Sequence, residues 1–286
     1  METTETRDST SESTPDRRWM LYGANGYTGR LIAKEAMHRG MHPVLAGRNE
    51  TELRKLAELL DCEYRVFSLD EPDRAREALS DIHVVLHCAG PFVRTAAAMI
   101  DACLASHTHY MDITGEIPVL EEIFARHDEF LAAGITALPG AGYDVVPTDC
   151  LAMMLKEQLP DATRLTLAFC GKIYQSPGTW KATLDSLPRC GRVRKNGVLV
   201  QVPHVWKMQR LRFDHAVCNT ICIPWGDVAS AWRSTGIPDI EVYGGAPLLS
   251  AYLMRAVRGL VCSVMKFDSV MNFSKRMVSR FVRGPD

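Results

Sequence analysis

Three glycines at equal spacing, Gly23, Gly26 and Gly29, follow the short apolar run Trp19-Met20-Leu21-Tyr22 in the stretch WMLYGANGYTGRLIAKEA. A glycine turn between a strand and a helix suits a phosphate group. The first glycine lets the chain reverse, the second lets the backbone close on a pyrophosphate, and the third lets the helix pack tightly on the sheet. The helix N–H groups then point at the anion. The loop Gly23-Ala24-Asn25-Gly26-Tyr27-Thr28-Gly29 is therefore read as a dinucleotide cradle of GxxGxxG spacing, with a plain turn as the alternative. The end of the second apolar run, LAGRNE, selects the dinucleotide. An NAD site places an acid there, about twenty residues on, to bond the ribose 2′-hydroxyl. Arg48 stands there instead, and its guanidinium matches a 2′-phosphate in charge and geometry, so NADP is the expected cofactor. The alternative is a solvated arginine, with Asn49 capping the next helix and Glu50 in its first turn.

Proton chemistry is sought at the ends of later apolar runs, because ligands of such sheets bind outside the carboxyl ends of the strands. CAGPF ends the fourth run, and its Gly90-Pro91 turn is expected to pass beside the nicotinamide ribose. YMDITGE ends the fifth and offers Asp112, Thr114 and Glu116. PGAGYDVVPTD ends the sixth with Gly140, Gly142, Tyr143, Asp144 and Asp149. Tyr143 and Asp144 are the first candidates for proton transfer or carbonyl polarisation, with Asp112 and Glu116 as orienting groups. Capping and turn roles are the alternatives, Asp149 as a helix cap among them. None of the eight tyrosines has Lys four residues later, which disfavours the Tyr-x-x-x-Lys mechanism of short-chain dehydrogenases.

The elements that must position these groups follow from periodicity. From residue 18 onward, short apolar runs alternate with amphipathic segments: WMLYG, PVLAG, YRVFSL, IHVVLHCAG, HYMDIT and GITALPG, with helical stretches between. Six such runs describe an α/β chain with a doubly wound parallel sheet of Rossmann type, covered on both faces. After about residue 147 the character changes. A helix carrying Leu151, Met154, Leu155 and Leu159 leads to the strand RLTLAFCG, with further strands at 198–202 and 240–243, as in a second α+β domain. The expected division is a tail over 1–16, a dinucleotide-binding domain over 17–150 and a substrate or dimerisation domain over 151–286. The last helical stretch, within 248–266, puts Leu249, Leu253, Ala256, Val257, Leu260, Val261 and Val264 on one face, opposite Arg255, Arg258 and Lys266. It is read as packed on the core, and alternatively as a basic amphipathic helix on a membrane surface.

With 286 residues, 47% hydrophobic and 23% charged, the chain has the composition of a soluble globular protein of about two domains. A net charge of −1 gives no electrostatic reason to expect nucleic acid as a partner. The first sixteen residues hold five acids and almost nothing apolar, as a disordered tail does, and do not resemble a transit peptide. No uncharged apolar stretch reaches the length of a membrane span. Nine scattered cysteines without a CxxC pair disfavour a zinc site and read as unpaired thiols of a reducing cytoplasm.

GANGYTGR, LAGRN, CAGPF, YMDITGE and GAGYDVVPTD together resemble the saccharopine dehydrogenase-like NADP-binding family. SPGTWKATLDSL and IPWGDVASAWRSTGIPDIEVYGG resemble its trans-acting enoyl reductase branch, whose members serve bacterial lipid and polyketide assembly. The resemblance implies an NADP-dependent reductase whose second domain closes over the nicotinamide. By that analogy Trp225, Gly226, Asp227, Ser234 and Thr235 face the cleft as substrate contacts, and the substrate is an acyl or lipid-like molecule, carried in the simplest case by a partner synthase. A saccharopine-type imine reductase is the variant, for which Arg189, Arg192 and Arg194 form the only dense group of cations. A non-catalytic module sensing the NADP redox state is the other alternative. Members of the resembled family extend past RFVRGPD. That expectation leaves the apolar face of the last helix without its partner, and points to homodimerisation or lost activity.

Overall fold

The computed structural model describes residues 17–171, 180, 183–185, 187–214 and 216–281. The expected tail over 1–16 and most of the SPGTWKATLDSL block lie outside the described residues.

The first half is a parallel sheet of six strands wrapped by helices. Its elements run β1 (Trp19–Tyr22), α1 (Tyr27–His38), β2 (Val44–Gly47), α2 (Glu50–Leu60), β3 (Tyr64–Val66), α3 (Pro72–Ala78), β4 (Val84–His87), α4 (Phe92–Ser106), β5 (His109–Asp112), α5 (Ile117–Ala125), α6 (His127–Ala133) and β6 (Ala137–Leu138). The strand order β3-β2-β1-β4-β5-β6 reverses beside β1, which places a crevice over the β1 and β4 ends, where the glycine loop lies. Asn49 accepts the Glu52 N–H at 3.2 Å and caps α2, while Glu50 sits in its first turn against Arg54.

The second half contains α7 (Val146–Gln158), β7 (Arg164–Phe169), a 3-10 turn (Leu187–Arg189), β8 (Gly191–Lys195), β9 (Val198–Val202), β10 (Met208–Phe213), β11 (Ala216–Ile223), α8 (Asp227–Thr235), β12 (Asp239–Gly245), α9 (Leu248–Val264) and α10 (Asp268–Phe281). β12 is the hub of this mixed sheet. It pairs in parallel with β7, antiparallel with β11, and meets β8 at Ile240 and Arg194.

Two apolar clusters cover the faces of the parallel sheet, built around Met20, Val85, Ile100 and Tyr110 on one side and around Leu21, Leu45, Leu53 and Leu56 on the other. A third joins the two halves. Ile117 and Leu120 of α5 pack with Ala152, Leu165, Val228, Ile237, Ile240 and Val242, so the halves share one core. The expected division at 150 falls inside α7.

Three expectations are corrected here. Cys170 and Cys218 form a disulfide, leaving seven free cysteines. Both flank the end of β12, where Gly245 has no side chain to obstruct the bridge. A Cβ there would lie 3.1 Å from Cys170 Sγ. The predicted apolar face of α7 points outward, with Leu151 and Met154 exposed and Ala152 the residue buried against α8 and β7. The last predicted helix is likewise not folded onto the core by its apolar stripe. In α9 only Ala251 is fully buried, while Leu249 is 84% and Leu260 67% exposed.

Candidate functional site

The site is built where strands end. β1 delivers Gly23 with φ of +84°, a left-handed conformation that favours glycine. The Gly23 N–H donates to Ala46 O at 2.8 Å, and Gly26 N–H donates back to Gly23 O at 3.0 Å, closing the turn on which α1 begins. At Gly29 an added Cβ would fall 2.3 Å from Gly23 O and 2.8 Å from Ala24 Cα. Both obstacles are backbone, so only glycine lets α1 start this close to β1. Gly26 is the N-cap of α1 and makes no side-chain cap, leaving the helix start open to an anion. Asn25 leans toward the end of β2, its Oδ1 3.1 Å from where a Gly47 Cβ would stand, and its carbonyl accepts from Arg30 Nε at 3.0 Å. Tyr27 and Thr28 occupy the first turn of α1.

Arg48 follows β2 directly and is exposed. No hydrogen bond or ion pair among the described residues engages its guanidinium, although neighbouring arginines Arg30 and Arg54 are paired. Its charge reaches the rim of the sheet. Burial pushes the Tyr22 phenol up to about 12, and Arg48 opposes that rise. A free arginine beside a glycine turn and an open helix N-terminus is the donor set an adenosine 2′-phosphate and pyrophosphate require, and the residues fit NADP.

The rim continues through close contacts. A Cβ at Gly23 would meet Ala89 N at 2.8 Å, so the cradle abuts CAGPF, whose Gly90–Pro91 peptide bond is cis. Glu116 then reaches back to the start of α4. Its Oε1 accepts the Phe92 N–H at 2.8 Å and its Oε2 the Val93 N–H at 3.2 Å. The predicted orienting acid therefore caps a helix and holds the Gly90-Pro91 turn in place.

Asp112 is fully enclosed. Its carboxylate accepts from Tyr110 OH at 2.6 Å, Thr114 N–H at 2.9 Å and Gly140 N–H at 2.8 Å. Burial raises its pKa, and those three donors pull it back. Both oxygens are thus occupied, Oδ2 by the Tyr110 hydroxyl of the same strand and Oδ1 by the N–H groups that bring the β5 and β6 ends together. The pairing was readable in the sequence, because Tyr110 and Asp112 are two apart and share a strand face.

Tyr143 and Asp144 lie at the rim. Tyr143 is 78% exposed. Asp144 is half-buried, its side chain about 3.1 Å from where a Gly115 Cβ would stand, and burial raises its pKa. Its carbonyl accepts the Trp225 indole N–H at 2.7 Å.

The PWGD block is the weld between the halves. Trp225 bonds Asp144, and Gly226 sits where a Cβ would be 2.9 Å from Val145 Cγ2 and 3.3 Å from Gly115 O. Ser234 Oγ donates to Asp149 Oδ1 at 3.0 Å. Thr235 is buried and donates to Ala231 O, its oxygen also accepting the Ile237 N–H at the end of α8. Trp225, Gly226 and Ser234 thus join α8 to the strand ends and to α7, and the expectation of an open cleft is corrected for Ser234 and Thr235, whose hydroxyls are engaged with Asp149 and with the end of α8.

Asp227 is the outlier. It is completely buried at the start of α8, and neither carboxylate oxygen has a hydrogen-bond partner among the described residues; Ser230 Oγ, one turn on, is also unpaired. Burial pushes the Asp227 pKa up to about 7; the nearby Thr148 hydroxyl opposes this, while Asp149 and Asp144 add to it. Thr148 Oγ1 itself donates to Val145 O at 3.1 Å. Sequence reasoning missed Thr148 and Ser230, although Asp227, Ser230 and Ser234 recur along one side of α8 at helical spacing. It also missed His87, a buried β4 residue that bonds Thr95 through Nε2 at 3.0 Å and that burial lowers to about 3.

Of the three arginines proposed for an imine substrate, Arg194 is already engaged within the fold. Arg194 is buried, paired with Glu121, donates to Val228 O and Gly197 O at 2.9 Å each, and stacks on Trp232. The Arg189 side chain lies outside the described residues. Among the described residues no group of three or more His, Cys, Asp or Glu is placed to hold a metal ion.

Comparison with known proteins agrees with this geometry. Residues 19–138 match the saccharopine dehydrogenase NADP binding domain. A trans-acting enoyl reductase of Mycobacterium leprae is 32% identical over 146 residues, 47% of this chain and 35% of that protein. A saccharopine dehydrogenase-like oxidoreductase of Mus musculus is 24% identical over 239 residues, covering 72% of this chain and 56% of the relative. The chain thus spans about half or less of the curated relatives it matches. Apo saccharopine dehydrogenase (L-Glu forming) from Saccharomyces cerevisiae superposes with a TM-score of 0.62 at 12% identity, over 84% of this chain and 57% of that one, which shows a shared fold.

Proposed function

We propose that this chain, whose residues 19–138 match the saccharopine dehydrogenase NADP binding domain, is an NADP-dependent reductase of an acyl or lipid-like substrate, such as an enoyl thioester presented by a partner synthase. The observation that carries the reading is the cradle: a glycine turn that tolerates no side chain at Gly29, beside the unpaired guanidinium of Arg48. NADPH, when bound, supplies the hydride. The glycine loop and the start of α1 hold the pyrophosphate, Arg48 holds the 2′-phosphate, and the turn at Gly90 and Pro91, braced by Glu116, borders the nicotinamide end. Tyr143 polarises the substrate carbonyl from its exposed place on the rim. Asp144, whose burial favours the protonated form, gives its proton to the α-carbon. The enoyl class is drawn from the Mycobacterium leprae relative's name.

The test is NADPH consumption with short acyl and enoyl thioesters, in the intact chain and in Tyr143→Phe and Asp144→Asn. Turnover lost in both variants with NADPH binding intact supports the roles; normal turnover in both removes them. A second reading, a sensor of the NADP redox state without chemistry, draws on one observation: Asp112 and Glu116 are both consumed in holding backbone. It predicts no turnover with any thioester and unequal affinity for NADPH and NADP⁺.

A further inference from the structure

The apolar stripe of α9 is used by neither the cofactor cradle nor the shared core. Leu249, Leu253, Val257, Leu260 and Val264 recur at three- and four-residue intervals and are 84%, 62%, 37%, 67% and 37% exposed. The helix is nonetheless fixed in place by its other side. Ala251 packs with Val205 and Ile221, and Arg258 donates to His204 O at 3.1 Å. The outward stripe is therefore presented by a docked helix, not exposed by a loose one. After an elbow at Met265, which is buried, α10 repeats the pattern, with Phe273 64% and Phe281 67% exposed. Lys275 ties α10 back to Asp185.

Charge decides what this surface fits. Residues 248–281 contain six Lys or Arg and one acid, in a chain whose net charge is −1, so the basic charge is concentrated on this segment. On α10, Arg276 and Arg280 fall at helical positions beside Phe273 and Met277, the arrangement in which arginines reach a phosphate layer while rings enter the acyl boundary. No single helix among the described residues is long and apolar enough to cross a membrane; the two pass that test only together, across a bend of 115°. An apolar stripe with basic flanks on a bent pair suits a surface rather than a span.

We propose that α9 and α10 form an interfacial foot that lays the protein on an anionic lipid surface, with Leu249, Leu253 and Leu260 in the acyl boundary and Arg276 and Arg280 at the headgroups. The proposal stands apart from the cofactor reading, since none of these residues belongs to the cradle.

The experiment is co-sedimentation of the full chain with vesicles of phosphatidylcholine alone and of phosphatidylcholine mixed with phosphatidylglycerol. Partitioning is expected to favour the anionic vesicles and to weaken with salt. Arg276→Ser with Arg280→Ser should weaken it roughly 25-fold, from about 5-fold per arginine near an anionic surface. Leu253→Ser with Leu260→Ser should weaken it at least about 100-fold on both vesicle types. NADPH binding, measured on each variant, should stay unchanged and shows that the variants are folded. Equal sedimentation of parent and variants overturns the proposal, as does a lipid-free dimer by sedimentation velocity that the leucine variants dissolve, which would make a second copy the occupant.

Discussion

Replacing Asp227 with Asn should flatten the dependence of stability on pH. The carboxylate is fully buried at the weld between the halves, with neither oxygen partnered, and its pKa rises to about 7. In the unfolded chain it ionises near 4. Between those values the folded state holds a proton that the unfolded state has released, so unfolding free energy falls as pH rises through this window and levels off above it. The full difference amounts to roughly 4 kcal/mol, a ceiling because Asp149 and Asp144 titrate nearby. Asn keeps the shape but leaves an unsatisfied amide, which costs about 1–3 kcal/mol at every pH. Stability at a single pH therefore does not separate the two effects, whereas the slope does. Urea unfolding from pH 5 to pH 8.5 should show the parent losing about 2–3 kcal/mol more than Asp227→Asn across that range. Parallel curves would refute the account, and would mean that Asp227 is solvated or paired in solution.

Two further substitutions probe separate parts of the site. Gly29→Ala places a methyl 2.3 Å from Gly23 O, against backbone that cannot yield locally; it should destabilise the fold by about 3 kcal/mol or more and abolish NADPH binding, read by denaturation and fluorescence titration. Glu116→Gln loses the charged cap on α4 and should lower stability by about 1–2 kcal/mol while keeping most of the turnover per folded molecule; loss of turnover at unchanged stability would restore Glu116 to the chemistry.

The parallel sheet was legible because each of its strands is an apolar run bounded by a turn residue and followed by a helix, and because Gly23, Gly26 and Gly29 fall at a strand-to-helix junction. Local rules also placed Asn49 as a cap. Strand ends located the acids but not their partners. Asp112 turned inward because Tyr110 shares its face and the Gly140 N–H arrives from β6. Glu116 turned back to a helix start more than twenty residues earlier, a contact only tertiary packing creates. The tryptophan and glycine of PWGD were read as lining a cleft, yet they close one. Since α5 contributes Ile117 and Leu120 to the core around α8 and β12, any movement of the second half over the cofactor must carry α5 with it. Helical period in α9 marked an apolar face without indicating what covers it, and the pairing of Cys170 with Cys218 depends on how β7 and β11 align on β12.

The proposed seat of an NADP-type dinucleotide is the β1–α1 turn together with Arg48. Titrating the intact chain and Arg48→Ala with NADPH and NADH, by quenching of protein fluorescence, tests it most directly. NADPH is expected to bind the intact chain more tightly than NADH. The variant should lose roughly 10- to 100-fold in NADPH affinity, the value of a charge-assisted contact to phosphate, with NADH unchanged. Equal loss for both nucleotides, or no change for NADPH, would contradict it.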